Sequence, residues 1–195
     1  MEASTAPSPA AAAEPPAEPR PLRTLLPTGR MRVGVAVGGV ALVVASFALF
    51  GLSGRALVGA VFCPVMLLLA AIDLKHHLLP NAIVLPSALA IALIVAATSP
   101  SGFLSHLWAG LALFGFLFVF AAIFPAGLGM GDAKAGLLIG LALGYRTLTA
   151  MTLAFAGLFL AAIWILVRHG FSARKQSIPF GPFLAAGGIL AFFLG

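Results

Sequence analysis

The chain has 195 residues, of which 62% are apolar and only 8% are charged, and its mean hydropathy is +1.14. A soluble domain of this length needs far more surface charge, so the composition excludes a soluble protein and indicates an integral membrane protein. The net charge of +6 is spread over an N-terminal arm and short loops, which is typical of topology signals at a lipid bilayer and not of a nucleic-acid-binding surface.

The first 30 residues are rich in Ala and Pro and contain no segment able to bury a core. We expect residues 1–30 to form a disordered cytoplasmic arm. The apolar stretch that follows runs from Val33 to about Ser53, which is too long for the apolar part of a signal peptide. Residues 31–55 are therefore predicted to form an extra, retained first transmembrane span, ahead of a membrane-embedded core at residues 56–195.

Six further apolar segments follow the first, each long enough or nearly long enough to cross a bilayer. The predicted fold is an all-α, polytopic bundle of about seven transmembrane helices. A six-span alternative merges or omits one segment, and the least distinct boundary lies near Tyr145–Thr147, where the fifth segment is short. The predicted spans are residues 33–53, 56–72, 82–98, 107–124, 132–147, 148–167 and 178–194.

Lys and Arg are unequally distributed between the two sides of this seven-span arrangement. With the N-terminus inside, nine of them lie on the cytoplasmic side, and only Arg55 and Arg146 lie on the opposite side. This bias predicts an N-in, C-out orientation.

The acidic residues are the most informative feature of the chain. Only two, Asp73 and Asp132, occur in the 177 residues after Glu18. A carboxylate at membrane depth is costly and by default indicates function. The predicted fifth span, which Asp132 opens, is roughly 20 Å long against ~30 Å of hydrocarbon, so we expect Asp132 to lie below the membrane surface. Two carboxyl groups that share one proton around one water can supply a general base and a general acid.

Glycines surround the second aspartate. Gly129 and Gly131 precede it and are expected to allow close approach of the backbone and a positive φ. A four-residue repeat predicts one helix face on which another helix can pack closely. The repeat consists of Asp132, Gly136, Gly140 and Gly144.

Several alternatives remain open for the polar residues. Either aspartate alone fits a helix cap or half of an ion pair with Lys75 or Lys134, and Lys134 fits either a headgroup anchor or an electrostatic modulator. The helix ends predict that Asp132, at an N-terminus, is charged and that Asp73, at a C-terminus, holds the proton. No metal or cofactor is expected, since no Glu follows residue 18 and His76–His77 has no further ligands nearby.

Three segments resemble the prepilin peptidase family of GxGD-type aspartyl membrane proteases. Residues 73–81 resemble the first-aspartate segment, in which Pro80 and Asn81 follow Asp73. Residues 129–134 resemble the GxGD-x-K segment, with Gly129, Gly131, Asp132 and Lys134. Residues 178–183 resemble the Pro-Phe-Gly-Pro element. The resemblance implies that Asp73 and Asp132 are the catalytic pair of an aspartic-type endopeptidase, with the other named residues in support.

The resemblance also implies a substrate and a location. The expected substrates are prepilins or pilin-like precursors of type IV pilus or protein secretion systems. Their leader would be cut on the cytoplasmic side of the bacterial cytoplasmic (inner) membrane. The paired cysteines of larger members have no counterpart, since Cys63 is the single cysteine. A short, peptidase-only form similar to tight-adherence or Flp-type members is therefore expected, without methyltransferase activity.

Two other functions compete with the protease. The first alternative is a proton- or cation-coupled transporter that uses the same two carboxylates, although the chain shows no convincing internal repeat. The second is a non-catalytic membrane subunit of a secretion or pilus machine.

Overall fold

The computed structural model describes residues 22–124, 128–169 and 179–194. Within these ranges the protein is entirely helical, apart from turns and a 3-10 segment at Gly144–Arg146. The helices are α1 Leu22–Leu25, α2 Gly29–Phe50, α3 Gly54–His76, α4 Asn81–Thr98, α5 Pro100–Ile123, α6 Met130–Leu143, α7 Thr147–His169 and α8 Gly181–Leu194.

The all-α prediction is confirmed, and α2 to α8 follow the seven predicted spans in order. Five stretches are long and apolar enough to cross a membrane: α2, α3, α4, α5 and the run from Met130 to Arg168 that joins α6 to α7; α8 is a shorter apolar helix. The chain is therefore a multi-pass membrane protein. The uncertain boundary near Tyr145 coincides with the 3-10 turn between α6 and α7.

Two boundaries differ from the prediction. The fourth span was expected from residue 107, but α5 begins at Pro100, because proline at the first helical position needs no N–H partner and has a helical φ. The end of the expected disordered arm is helical, since α1 precedes α2 and α2 begins at Gly29. Residues 1–21 of that arm lie outside the described residues.

Helices α3 and α6 occupy the centre of the bundle. Helix α3 packs on α2, α4 and α8, whereas α6 packs on α4, α5 and α8, and α7 packs mainly on α8. Ten of the 14 residues of α6 are buried, whereas Gly39 and Ser46 are the buried residues of α2. Lipid tails are as apolar as these side chains, so close packing, and not burial of apolar surface, holds the helices together.

The glycine face of α6 packs against α5, as predicted. Gly140 lies so close to α5 that a methyl group on it would overlap the backbone of Gly110, and Gly136 lies against Leu117. At the end of this face Gly144 has a φ of 57°, in the left-handed region that favours glycine, and there α6 ends. The face therefore sets the depth at which α6 lies against α5.

The bundle has two ends that differ in charge. The aspartate end contains Asp73 and Asp132, the last turn of α3 and the first turns of α4, α6 and α8. The arginine end contains Arg55 and Arg146, the first turn of α3 and the last turns of α4, α6 and α8. Along α3, Asp73 follows Arg55 by 18 residues, which corresponds to about 27 Å of helix.

Candidate active site

Asp73 lies in the last turn of α3 and is only 6% exposed. The helix ends at His76 because His77 adopts a left-handed conformation with φ 51°, and the His77 N–H donates to the Asp73 carbonyl at 2.8 Å. The Asp73 carboxylate accepts a hydrogen bond on Oδ2 from the backbone N–H of Gly181 at 3.0 Å. Gly181 is the first residue of α8, so Asp73 lies where an otherwise unpaired N–H and the helix dipole stabilise negative charge.

Asp132 is the third residue of α6 and is equally buried, at 6% exposure. Its Oδ2 accepts the Gly129 N–H at 3.0 Å, and its own N–H donates to the Gly129 carbonyl at 3.0 Å. Asp132 therefore caps its own helix, as one of the structural interpretations predicted. Its Oδ1 is buried and has no hydrogen-bond partner among the described residues. Such an oxygen is costly to bury without a hydrogen-bond partner.

The two carboxylates lie within Coulombic reach of each other. They come from the end of α3 and the start of α6, and these two helices contact each other. The structure thus brings together the two acids that the sequence singled out. Like charges at close range in a poorly solvated site favour a single shared proton.

The sequence predicted that Asp132 is charged and that Asp73 holds the proton, and the structure removes the physical basis of this prediction. It assumed that Asp73 meets only the C-terminus of its own helix, where the dipole disfavours negative charge. In the structure Asp73 also faces the N-terminus of α8, as Asp132 faces that of α6. Helix dipoles therefore do not distinguish the two carboxylates.

The two glycines before Asp132 have different roles. A Cβ on Gly131 would lie 2.9 Å from the Cβ of Leu79, so the absence of a side chain allows the 73–81 segment to pack against α6. The expected positive φ is wrong at both positions, because Gly129 is extended with a φ of −84° and Gly131 is an ordinary helical residue of α6. Glycine is needed at position 131 because the 73–81 segment approaches α6 closely there.

Lys134 and Asn81 join the same two segments by a second contact. The Lys134 ammonium donates to the Asn81 Oδ1 at 2.8 Å. Asn81 is the first residue of α4, and Pro80 before it is buried and forms the N-cap. Neither proposed role of Lys134 included this hydrogen bond between α6 and α4.

We expect the effects of Lys134→Met and Asn81→Ala on the free energy of unfolding to be non-additive. The hydrogen bond is exposed, so removing either partner alone should lower the free energy of unfolding by about 1 kcal/mol or less. The double variant should be no less stable than the worse single variant, which a double-mutant cycle of thermal unfolding in detergent would measure. Additive losses would show that the two side chains do not interact in the folded protein.

One functional position was missed by the sequence reasoning. Gly181 was noticed only as part of the Pro-Phe-Gly-Pro element, whereas its N–H binds Asp73 and a Cβ there would lie 2.5 Å from the Asp73 Oδ2. The signal was the glycine between two prolines at a helix start. His76 was considered as a metal ligand, whereas its Nε2 is buried without a hydrogen-bond partner among the described residues.

No group of three His, Cys, Asp or Glu side chains that could hold a metal ion occurs in the parts of the chain that the structure describes.

Comparison with known proteins agrees with the three-segment resemblance. A prepilin leader peptidase/N-methyltransferase of Bacillus subtilis (strain 168) is 37% identical over 155 residues, which cover 75% of this chain and 59% of that protein. A protein of the same name from Burkholderia pseudomallei (strain 1026b) is 31% identical over 175 residues, covering 80% and 52%. The chain thus spans between half and three fifths of the length of these curated relatives. No solved structure matches it. Residues 60–166, more than half of the chain and including both aspartates, match the type IV leader peptidase family, and the chain belongs to that family.

Proposed function

We propose that the protein is a membrane-embedded aspartic endopeptidase that removes the leader peptide of prepilin-like precursors. Its family supports a peptidase over a transporter or a non-catalytic subunit. One observation carries the aspartate mechanism. The two acids that follow Glu18, Asp73 and Asp132, are both buried and lie within Coulombic reach of each other, and Oδ1 of Asp132 has no hydrogen-bond partner among the described residues.

The chemistry follows from how each carboxylate is held. A backbone N–H fixes one oxygen of Asp73 through Gly181 and one oxygen of Asp132 through Gly129. The other oxygen of each can then hold a single water between them. The charged carboxylate takes a proton from this water while the water oxygen attacks the peptide carbonyl carbon. The protonated carboxyl donates its proton to the carbonyl oxygen. Collapse of the resulting diol, with a proton passed to the amide nitrogen, breaks the peptide bond.

The depth of the site fits a substrate with a polar leader before an apolar helix. Helices α6 and α8 each have 14 residues, or about 21 Å, against ~30 Å of hydrocarbon. With their other ends at the opposite surface, the first turns that hold the two carboxylates lie below the headgroups. The junction between the leader and the apolar helix of a precursor reaches the same depth.

Processing of such a precursor tests the proposal. We expect the protein, reconstituted in liposomes with a prepilin-like precursor, to release a product shortened by its leader. Intact-mass measurement would place the cut just before the apolar helix. An uncut precursor, or a cut inside the apolar helix, would contradict the proposal.

For topology, we infer seven spans with the N-terminus inside and the aspartate end facing the cytoplasm of a bacterial cell. The distribution of basic residues supports this orientation. Six described Lys and Arg lie toward the aspartate end, against two at the arginine end. The six are Arg23, Arg30, Arg32, Lys75, Lys134 and Arg168. Helices α3 to α8 would form the peptidase core, and the peripheral α2 an additional span.

Cysteine labelling of intact cells checks the orientation. Cys63 is fully buried and should not react, so any labelling can be assigned to the single introduced cysteine. Leu52 is 99% exposed in the turn between α2 and α3, so we expect Leu52→Cys to react with a membrane-impermeant maleimide from outside. Lys75→Cys, exposed in the last turn of α3, should react only after the membrane is opened. The reverse labelling pattern would show that the N-terminus and the aspartate end lie outside.

A further inference from the structure

An apolar groove of about 530 Å³ lies between α5 and α7. Helix α5 packs mainly on α6, and α7 packs mainly on α8, so the gap between α5 and α7 stays open. Each of the two helices gives one face to the groove, because its lining residues are three or four positions apart. They include Ala109, Ala112 and Phe116 of α5 and Leu148, Met151 and Phe155 of α7.

A row of phenylalanine rings extends the α5 wall of the groove to the aspartate end of the bundle. The ring of Phe116, in the groove, packs on that of Phe120 with 4.9 Å between the centroids, and Phe120 packs on Phe124 at 6.0 Å. The Phe124 carbonyl accepts a hydrogen bond at 3.2 Å from the N–H of the residue before Gly129. The N–H of Gly129 is the group that binds Asp132.

The α7 wall leads to the other acid. The ring of Phe155, in the groove, packs on that of Phe180 with 5.6 Å between the centroids. Phe180 is buried and directly precedes Gly181, whose N–H binds Asp73. Each wall of the groove therefore leads to one of the two backbone N–H groups that hold the acids.

Helix lengths give the depth of the groove relative to the acids. Asp132 lies 12 residues, or about 18 Å, along α6 from Gly144, and Phe155 lies 8 residues, or about 12 Å, along α7 from Thr147. The groove thus begins about 6 Å, or roughly four helical residues, from the depth of the acids. Its other end, at Leu148, lies about 17 Å, or roughly 11 residues, from that depth.

We propose that the groove binds the apolar helix of the precursor and contacts roughly its fourth to eleventh residues, while the junction with the leader lies at the two acids. The proposal rests on the proposed peptidase function and identifies where its substrate docks. The small side chains of Ala109 and Ala112 let another helix approach the α5 wall closely. A lipid acyl chain would also fill an apolar groove, but it would gain nothing from walls that lead to both acids.

Photocrosslinking locates the occupant of the groove. The full-length protein carries benzoylphenylalanine, a photoreactive residue, in place of Phe155 and is reconstituted in liposomes with a prepilin-like precursor. Mass spectrometry of the linked peptides should place the link within about the fourth to eleventh residues of the precursor's apolar helix. The matched control replaces Leu160, which is 65% exposed on α7 but does not line the groove, and should link to lipid. Links from position 155 to lipid alone, to a second copy of the protein or to another part of the precursor would overturn the proposal.

Filling the groove gives an independent kinetic test. Ala112→Phe should raise the KM for the precursor about tenfold with little change in kcat, because it removes binding energy that the substrate and the transition state share. The control is Ala41→Phe, on the exposed outer face of the peripheral α2, which should leave KM unchanged. Equal KM values for the two variants would overturn the docking proposal while leaving the peptidase in place. Absence of any cleavage by the unchanged protein would instead contradict the proposed function.

Discussion

Asp73→Asn and Asp132→Asn should each lower the rate of prepilin processing by about 10³-fold or more. Each amide keeps the size of the carboxyl group but can neither take a proton from the water nor return one. Because the pair acts as a unit, the double variant should be about as slow as either single variant. A gel-shift or intact-mass time course with reconstituted protein measures all three rates.

The same variants separate catalysis from folding. Asparagine caps a helix about as well as aspartate, and the oxygen that accepts the Gly129 N–H remains available in Asp132→Asn. Membrane insertion and the midpoint of thermal unfolding should therefore change little. Glu18→Gln, at the last acid before the membrane portion, is the matched control and should process at the normal rate. Normal processing by either aspartate variant would remove the pair from the mechanism.

Gly181→Ala should lower the processing rate by about 100-fold, the order expected when a reacting group is displaced by about 1 Å. The new methyl group would lie 2.5 Å from Oδ2 of Asp73 and 2.8 Å from its Cγ, so the carboxylate must move away from Gly181 and out of its present position. Alanine keeps the backbone N–H, so the loss would come from displacement of the acid and not from loss of the donor. The measurement is the processing rate at saturating precursor.

A glycine without neighbours provides the control for this substitution. Gly115 lies within α5, and nothing approaches its Cβ position within 4 Å. Gly115→Ala should process normally and unfold at the same or a slightly higher temperature, since alanine favours the helix. If Gly181→Ala were as active as Gly115→Ala, the contact between α8 and Asp73 would not control the position of the acid.

The sequence by itself determined the class of protein, the order of its helices and the pair of acids. Apolar length and the inventory of charged residues are properties of consecutive positions, so they can be read without knowing which helices touch. The four-residue glycine repeat belongs to this group as well, because helical geometry alone places Gly136 and Gly140 on one face. The all-helical class and the helix order were predicted accurately because a bilayer requires long apolar helices whatever their arrangement, whereas the catalytic role of the two acids stays a prediction.

Only the tertiary structure decided what surrounds those acids. The contact of Gly181 with Asp73 joins residues 108 positions apart, and the hydrogen bond between Lys134 and Asn81 joins residues 53 apart. The sequence likewise does not show that Arg55 and Arg146 line the same cavity. All of these contacts depend on which helix faces pack together and at what depth. Steric fit at the glycines sets that packing, because hydropathy is nearly uniform around apolar helices and cannot specify it.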